Sequence, residues 1–262
     1  MMPEISVIIP TFNESAHIQR LVRRVCDSSA RIECIIVDGG STDSTVDLAL
    51  KTGAKVIIGN VANRAVQLNL GAQAASAKTL YFVHADTLPP VKFSTHISSA
   101  LADGNEFGCF RFRFSSPKRL LRINSWCTRF PFMIFRGGDQ SLFITKNLFG
   151  KLQGYDESKR VMEDYDIIAR GKKHAQFKVI QDDIEVSARK YDDNGYFRVN
   201  SANLFIFTMY YLGVPAEKLA SWYGKLIRHP KPTKTDQKPV SVNQKSEIST
   251  FAPSCEPDSK PG

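Results

Sequence analysis

The sequence is poor in cysteine, in glycine at the turn where nucleotide folds commonly place it, and in long apolar runs. Its five cysteines (Cys26, Cys34, Cys109, Cys127 and Cys255) are scattered with no CxxC pair, which argues against a disulfide framework or zinc cluster and fits a reducing compartment. The first strand-to-helix turn reads Pro10-Thr11-Phe12-Asn13-Glu14 and holds no glycine. A dinucleotide fingerprint would need G-x-G-x-x-G there, because backbone must approach a pyrophosphate closely. No G-x-x-x-x-G-K-[ST] loop, G-x-S-x-G elbow or H-E-x-x-H helix occurs, so P-loop, hydrolase and zincin chemistries drop out. The most apolar late stretch, Leu204 to Val214, has about half of the ~20 residues a bilayer span requires. The start of the chain lacks the basic region and longer apolar stretch of a signal peptide. The expected location is cytoplasmic, with peripheral contact at the inner membrane face left open.

What is present is enough apolar mass for a full core: 42% of 262 residues are hydrophobic and 23% charged. The formal charge of +9 attracts anions such as nucleotides, acidic lipids or nucleic acid. Nucleic acid is set aside because no recognition motif accompanies the charge. From residue 5 to about 114, short β-branched runs alternate with helical ones, the pattern of βαβ units and a mostly parallel sheet. Strands are expected at Ile5–Ile9, Cys34–Val37, Lys55–Ile58, Leu80–Val83 and Gly108–Phe114, with helices near Glu14–Cys26, Ser44–Lys51, Arg64–Ala74 and Val91–Leu101. The second half, from about Lys118, mixes basic and aromatic residues and reads as the side that completes the sheet. We expect one α/β domain over residues 1–230, divided near 114/115, and a disordered Pro-, Ser- and Lys-rich tail over 231–262.

In open parallel sheets, ligands bind beyond the carboxyl ends of the strands. Three polar clusters fall there: Pro10 to Glu14, Asp38-Gly39-Gly40-Ser41-Thr42-Asp43, and His84-Ala85-Asp86-Thr87. Asn13 and Asp43 suit helix caps and turns equally well. Asp38 and Asp86 do not, since each follows an apolar run where a carboxylate is poorly solvated without a partner or ligand. Carboxylates where phosphates are expected call for a cation between them, and Mg²⁺ or Mn²⁺ binds through one or two carboxylates plus phosphate oxygens.

With these residues in order, the chain resembles the family 2 glycosyltransferases of GT-A fold. The resemblance runs from Ser6-Val7-Ile8-Ile9-Pro10-Thr11-Phe12-Asn13-Glu14 through Ile35-Ile36-Val37-Asp38-Gly39-Gly40-Ser41-Thr42-Asp43 and His84-Ala85-Asp86. It continues through Asn63 to Ala72, Gly137-Gly138-Asp139-Gln140 and Met162-Glu163-Asp164-Tyr165-Asp166, covering about residues 4–212. It implies a Rossmann-like, nucleotide-binding, mostly parallel sheet flanked by helices, with a mixed acceptor half over 115–230. It also implies a hexosyltransferase-like enzyme that moves a sugar from a UDP- or GDP-sugar with inversion, aided by a divalent cation (Mn²⁺ or Mg²⁺).

Under that resemblance, Pro10, Thr11, Asn13, Glu14, Asp38 and Gly39 line the nucleoside pocket, and Arg64 reaches base or phosphates. Asp86 holds the metal. The family usually writes Asp-x-Asp where this chain has His84, and imidazole ligates Mn²⁺ better than Mg²⁺. Asp139 and Gln140 approach the donor sugar or form a plain Gly-Gly-Asp turn. Asp164 is the expected base, with Glu163 tuning it by like-charge proximity; the same pair also suits an acidic first helix turn. The implied acceptor is a lipid, an isoprenoid or carotenoid, a glycan or a small metabolite. The rival reading is a non-catalytic nucleotide-sugar-binding or membrane-associated scaffold protein of the same fold.

Three further features carry alternatives. Arg189 and Lys190 either neutralise the diphosphate or are solvated charges. Lys118 to Trp126 reads as an amphipathic helix, with Arg129 and Arg136 extending its charge, either packed on the domain with its charges in water or lying on an anionic membrane. The aromatic Asn203–Tyr211 run is expected as a buried C-terminal helix rather than a lipid-docking element.

Overall fold

β-Branched and aliphatic runs form strands wherever alternation predicts them. The computed structural model describes residues 2–28, 30–59 and 62–228; the tail expected over 231–262 lies outside them. The first half builds β1 (Ile5–Thr11), α1 (Ile18–Cys26), β2 (Ile32–Asp38), α2 (Thr45–Leu50), β3 (Lys55–Ile58), α3 (Arg64–Ala74) and β4 (Thr79–Phe82). A short β5 (Thr87–Leu88), α4 (Phe93–Ala102) and β6 (Phe107–Phe114) follow. The second half adds α5 (Arg119–Cys127), β7 (Leu142–Thr145), α6 (Lys146–Lys151), α7 (Glu163–Gly171), β8 (Phe177–Val186), α8 (Arg189–Asn194), α9 (Tyr196–Tyr211) and α10 (Ala216–Leu226).

One eight-stranded sheet runs in the order β3-β2-β1-β4-β7-β6-β8-β5. The β3-β2-β1-β4 part is parallel throughout. β7 then lies antiparallel to both β4 and β6, and β6 pairs in parallel with β8, so the sheet becomes mixed in the second half of the chain as expected. Both faces are covered. Ile5, Val7 and Ile9 pack with Leu21 and Val25 of α1, while the alternate residue Ile8 packs with Leu68 and Ala72 of α3. α3 comes so close to β1 that a Cβ on Gly71 would meet Ile8 Cγ2 at 2.3 Å, so only glycine fits there.

Three expectations are corrected. The first helix begins at Ile18 rather than near Glu14, because Asn13 is left-handed (φ 54°) and the amides of Asn13, Glu14 and Ser15 donate to the side chains of Ser41, Thr45 and Asp43, in the β2–α2 loop and at the start of α2. Arg136 is not a surface charge but is buried, donating to the carbonyls of Thr128, Phe130 and Phe132. The Asn203–Tyr211 run is not a buried helix. α9 buries the stripe Val199, Ala202 and Ile206 and leaves Leu204 and Tyr211 each 54% exposed, since only one of its faces meets the body of the protein.

Candidate active site

The carboxyl ends of β1 and β2 are joined by their own side chains. Asp38, the last residue of β2, is buried, and its Oδ2 accepts from the amides of Gly40 (2.9 Å) and Ser41 (2.7 Å). Its Oδ1 accepts from the hydroxyls of Ser41 (2.5 Å) and Thr11 (3.1 Å). Four donors satisfy a charge that would otherwise be costly to bury. Gly40 takes φ 91°, a conformation that suits glycine. Across the gap, Asn13 Oδ1 accepts from the Thr42 amide at 2.8 Å, so the two loops are tied to each other. Gln67 of α3 completes it, donating from Nε2 to the carbonyls of Thr11 and Val37 at 2.8 Å each.

β4 delivers the second cluster. After Phe82 the chain turns through His84 and Asp86, closed by the Thr87 amide donating to the His84 carbonyl. Arg189, at the start of α8, lies 3.1 Å from Glu14 and 3.9 Å from Asp86. Burial raises the Glu14 carboxyl although Arg189 opposes it, and Glu14 Oε2 has no hydrogen-bond partner among the described residues. His84 Nδ1 stands 3.6 Å from Asp139 Oδ1. Desolvation pushes the Asp139 carboxyl up, but His84 and then Lys190 and Arg64 outweigh it and hold it at about 2. Its neighbour Gln140 is buried, accepting from the Cys109 thiol and leaving Nε2 without a partner among the described residues.

The third cluster is acidic. α7 opens on Glu163 and Asp164 after Met162, whose left-handed backbone (φ 68°) turns the chain sharply into the helix. Glu163 and Asp164 are both buried. Arg64 Nη1 reaches them at 3.0 and 3.5 Å. Burial raises the Glu163 carboxyl, Arg64 opposes this, and Asp164 adds to it. Arg64, Asp139, Glu163 and Asp164 line a cleft of about 470 Å³ whose other walls come from α5, the Ile134 loop, α8 and α9. A hollow of about 550 Å³ beside Lys78 and Lys146 lies before β4, away from these groups.

Among the described residues no three His, Cys, Asp or Glu side chains gather to hold a metal. Asp86, 28% exposed at its side chain, and the His84 imidazole fit a different arrangement, in which a cation takes its remaining ligands from diphosphate oxygens. Thus the three polar clusters marked in the sequence, which follow the parallel strands β1, β2 and β4, lie at the carboxyl edge of the sheet, and Arg64 ties the Glu163–Asp164 pair to that edge. This contact of Arg64 with the acid pair was not anticipated from the sequence. The linking role of Gln67 was not anticipated, for nothing in its helix marks it apart from its neighbours.

The family model for glycosyl transferase family 2 matches residues 6–158, which takes in the Thr11, Asp38, Arg64, His84, Asp86 and Asp139 positions. The chain belongs to this family. Over 192 residues it is 30% identical to a PGL/p-HBAD biosynthesis glycosyltransferase of Mycobacterium tuberculosis (strain ATCC 25177 / H37Ra), covering 64% of this chain and 69% of that protein. A 52-residue segment is 44% identical to a 4,4'-diaponeurosporenoate glycosyltransferase of Staphylococcus haemolyticus; it spans 20% of this chain and only 14% of that relative. In fold, the chain is similar to a mannosyltransferase from Pyrobaculum calidifontis solved with GDP-Man and Mn²⁺ (TM-score 0.63, 16% identity, 79% of this chain and 63% of that one). This family 2 member thus has the GT-A architecture, a Rossmann-like half followed by a mixed one.

Proposed function

We propose that the protein transfers a sugar, with inversion, from a UDP- or GDP-sugar to an acceptor hydroxyl, with Asp164 as the base. The carrying observation is that Asp164 shares one cleft with Arg64 and Asp139, while Asp139 sits 3.6 Å from His84, two residues before Asp86. Nucleoside and diphosphate would lie over the joined Thr11–Glu14 and Asp38–Gly39 loops. Asp86 and His84 would hold a divalent cation, which when bound neutralises charge on the leaving diphosphate. Arg189 would add its charge from the α8 side.

Asp164 suits the base because it is less tightly held than Glu163, at 3.5 rather than 3.0 Å from Arg64 and with 12% rather than 4% of its side chain exposed. The acceptor oxygen forms its bond to the anomeric carbon as its proton passes to Asp164, and the bond to the diphosphate oxygen breaks with its electron pair leaving on phosphate. Glu163 keeps the pair's local charge negative, and Arg64 keeps both carboxylates in place. Glycan, small-metabolite, lipid and isoprenoid or carotenoid acceptors are all compatible with this chemistry.

The test is a panel of nucleotide sugars with Mn²⁺, read by binding and by release of nucleoside diphosphate. Binding and release with at least one donor is expected; neither with any donor overturns the proposal. Donor binding without turnover in the presence of lipid and glycan acceptor extracts would favour the scaffold reading.

A further inference from the structure

From Phe107 to Gly138 the chain carries seven basic residues and no acidic one. Arg111, Arg113 and Lys118 are neutralised by Asp183, Glu185 and Asp192. Arg119, Arg122 and Arg129 are exposed and enter no ion pair among the described residues. Arg129 instead lies over the Trp126 ring, 5.1 Å from its centroid.

These arginines share their surface with apolar side chains. Residues of a helix advance by about 100° each, which puts Arg119, Ile123 and Trp126 together on the outward side of α5, while Leu121 is its buried residue. Ile123 is 55% and Trp126 52% exposed. α5 packs on the domain through Leu121 with its arginines in water, but its outward side also carries apolar side chains where a packed surface helix is commonly polar. The loop that follows presents Phe132, 62% exposed, and is fixed from within by Arg136 through three carbonyls. On α9, Phe197, Leu204 and Tyr211 recur every seven residues on one exposed side. Both surfaces run into the cleft of Asp164, which Ile134 lines from the loop and Leu204 from α9.

We propose that this face docks on an anionic lipid bilayer, and that the cleft opening there takes an amphiphilic acceptor whose apolar chain leaves past Ile134 and Leu204. Trp126 and Phe132 would sit at headgroup depth, where aromatic side chains are favoured, with the arginines on lipid phosphates. No helix among the described residues is long and apolar enough to cross a membrane, so the contact is interfacial. Charge decides against a second copy of this chain. A two-fold interface presents the same patch twice and would face three unpaired arginines with three more. The docking stands on the surface alone, whereas the choice of acceptor rests on the proposed transferase reading.

The experiment floats the full chain with vesicles of phosphatidylcholine alone or with about a third phosphatidylglycerol, at low and physiological salt, and measures UDP and GDP binding with Mn²⁺ in parallel. Binding to the anionic vesicles, weakened by salt and at least tenfold poorer on neutral ones, is the expected result. At low salt, replacing Arg119, Arg122 and Arg129 by Gln should weaken it on the order of a hundredfold, and Trp126→Ser with Phe132→Ser should lower it on both vesicle types. Nucleotide binding should stay unchanged in both variants, which also shows that they fold. Equal binding to both vesicle types, or variants that float like the parent, overturns the proposal. So does a dimer in free solution that the Trp126→Ser, Phe132→Ser variant dissociates. Absence of nucleotide binding in the parent sinks the transferase reading and leaves the docking result standing.

Discussion

The guanidinium of Arg64, the first residue of α3, lies 3.0 Å from the carboxylate of Glu163, whose side chain is 4% exposed. A residue half in solvent thus anchors one that is almost wholly out of it. Burial holds the Glu163 carboxyl above its ordinary value of 4.5 despite Arg64. Stability attached to such a group is present below the unfolded value and is lost as pH rises through the folded one. Arg64→Met leaves two neighbouring carboxylates without their cation and raises Glu163 further. At neutral pH the variant should be less stable by about 1–3 kcal/mol, and the deficit should shrink as pH falls below the carboxylate range. Urea melts at both ends of that range give the answer; a deficit independent of pH would show that Arg64 acts through packing.

Asp164→Asn keeps the shape of the cleft and removes the proton acceptor. Turnover should fall by about 10²–10⁴ while UDP or GDP affinity changes little. Because the Asp164 charge helps to raise Glu163, the variant's Glu163 should also titrate lower than in the parent. Unchanged turnover would remove Asp164 as base, and a parallel loss of nucleotide affinity would mean that the residue is needed for the donor site itself.

The first half of the fold was legible because its signals are local. β-Branched runs between helical periods mark β1 to β4 and α1 to α4, and Asp38 and Asp86 stand out as carboxylates at the ends of apolar runs. What escaped depends on distant partners. Arg64 meets Asp164 across 100 residues of chain, and no local pattern announces that choice. β7 separates β4 from β6, a neighbour relation set by the sheet and not by its four residues. The apolarity of α9 was plain, yet a run of Phe, Leu and Tyr does not say how many of its sides will be covered.

His84 stands where a second carboxylate is usual in this family, and imidazole is a softer ligand than carboxylate. Turnover of the parent should stop with a chelator and return more fully with Mn²⁺ than with Mg²⁺. His84→Asp should narrow that difference, since Mg²⁺ favours oxygen ligands. An unchanged metal preference would place His84 outside the cation's ligands and leave it as the partner of Asp139.

Asp38 is singled out by the sequence as a donor-site residue, and its four hydrogen bonds make it the fastener of the two loops as well. Asp38→Asn replaces one acceptor oxygen by an NH₂ group, which must face either the Gly40 and Ser41 amides or the Thr11 and Ser41 hydroxyls. Donors facing the amides cannot bond, so Asn should turn its oxygen toward them and leave the hydroxyls to rotate. The expected cost is about 2–4 kcal/mol of stability and a fall of roughly tenfold or more in nucleotide affinity, with Gln67 still joining Thr11 to Val37. Thermal melts and nucleotide titrations on the same preparation separate the two effects. If affinity is lost while stability is unchanged, Asp38 acts on the nucleotide directly; if both fall together, the loop that it fastens is what the nucleotide requires.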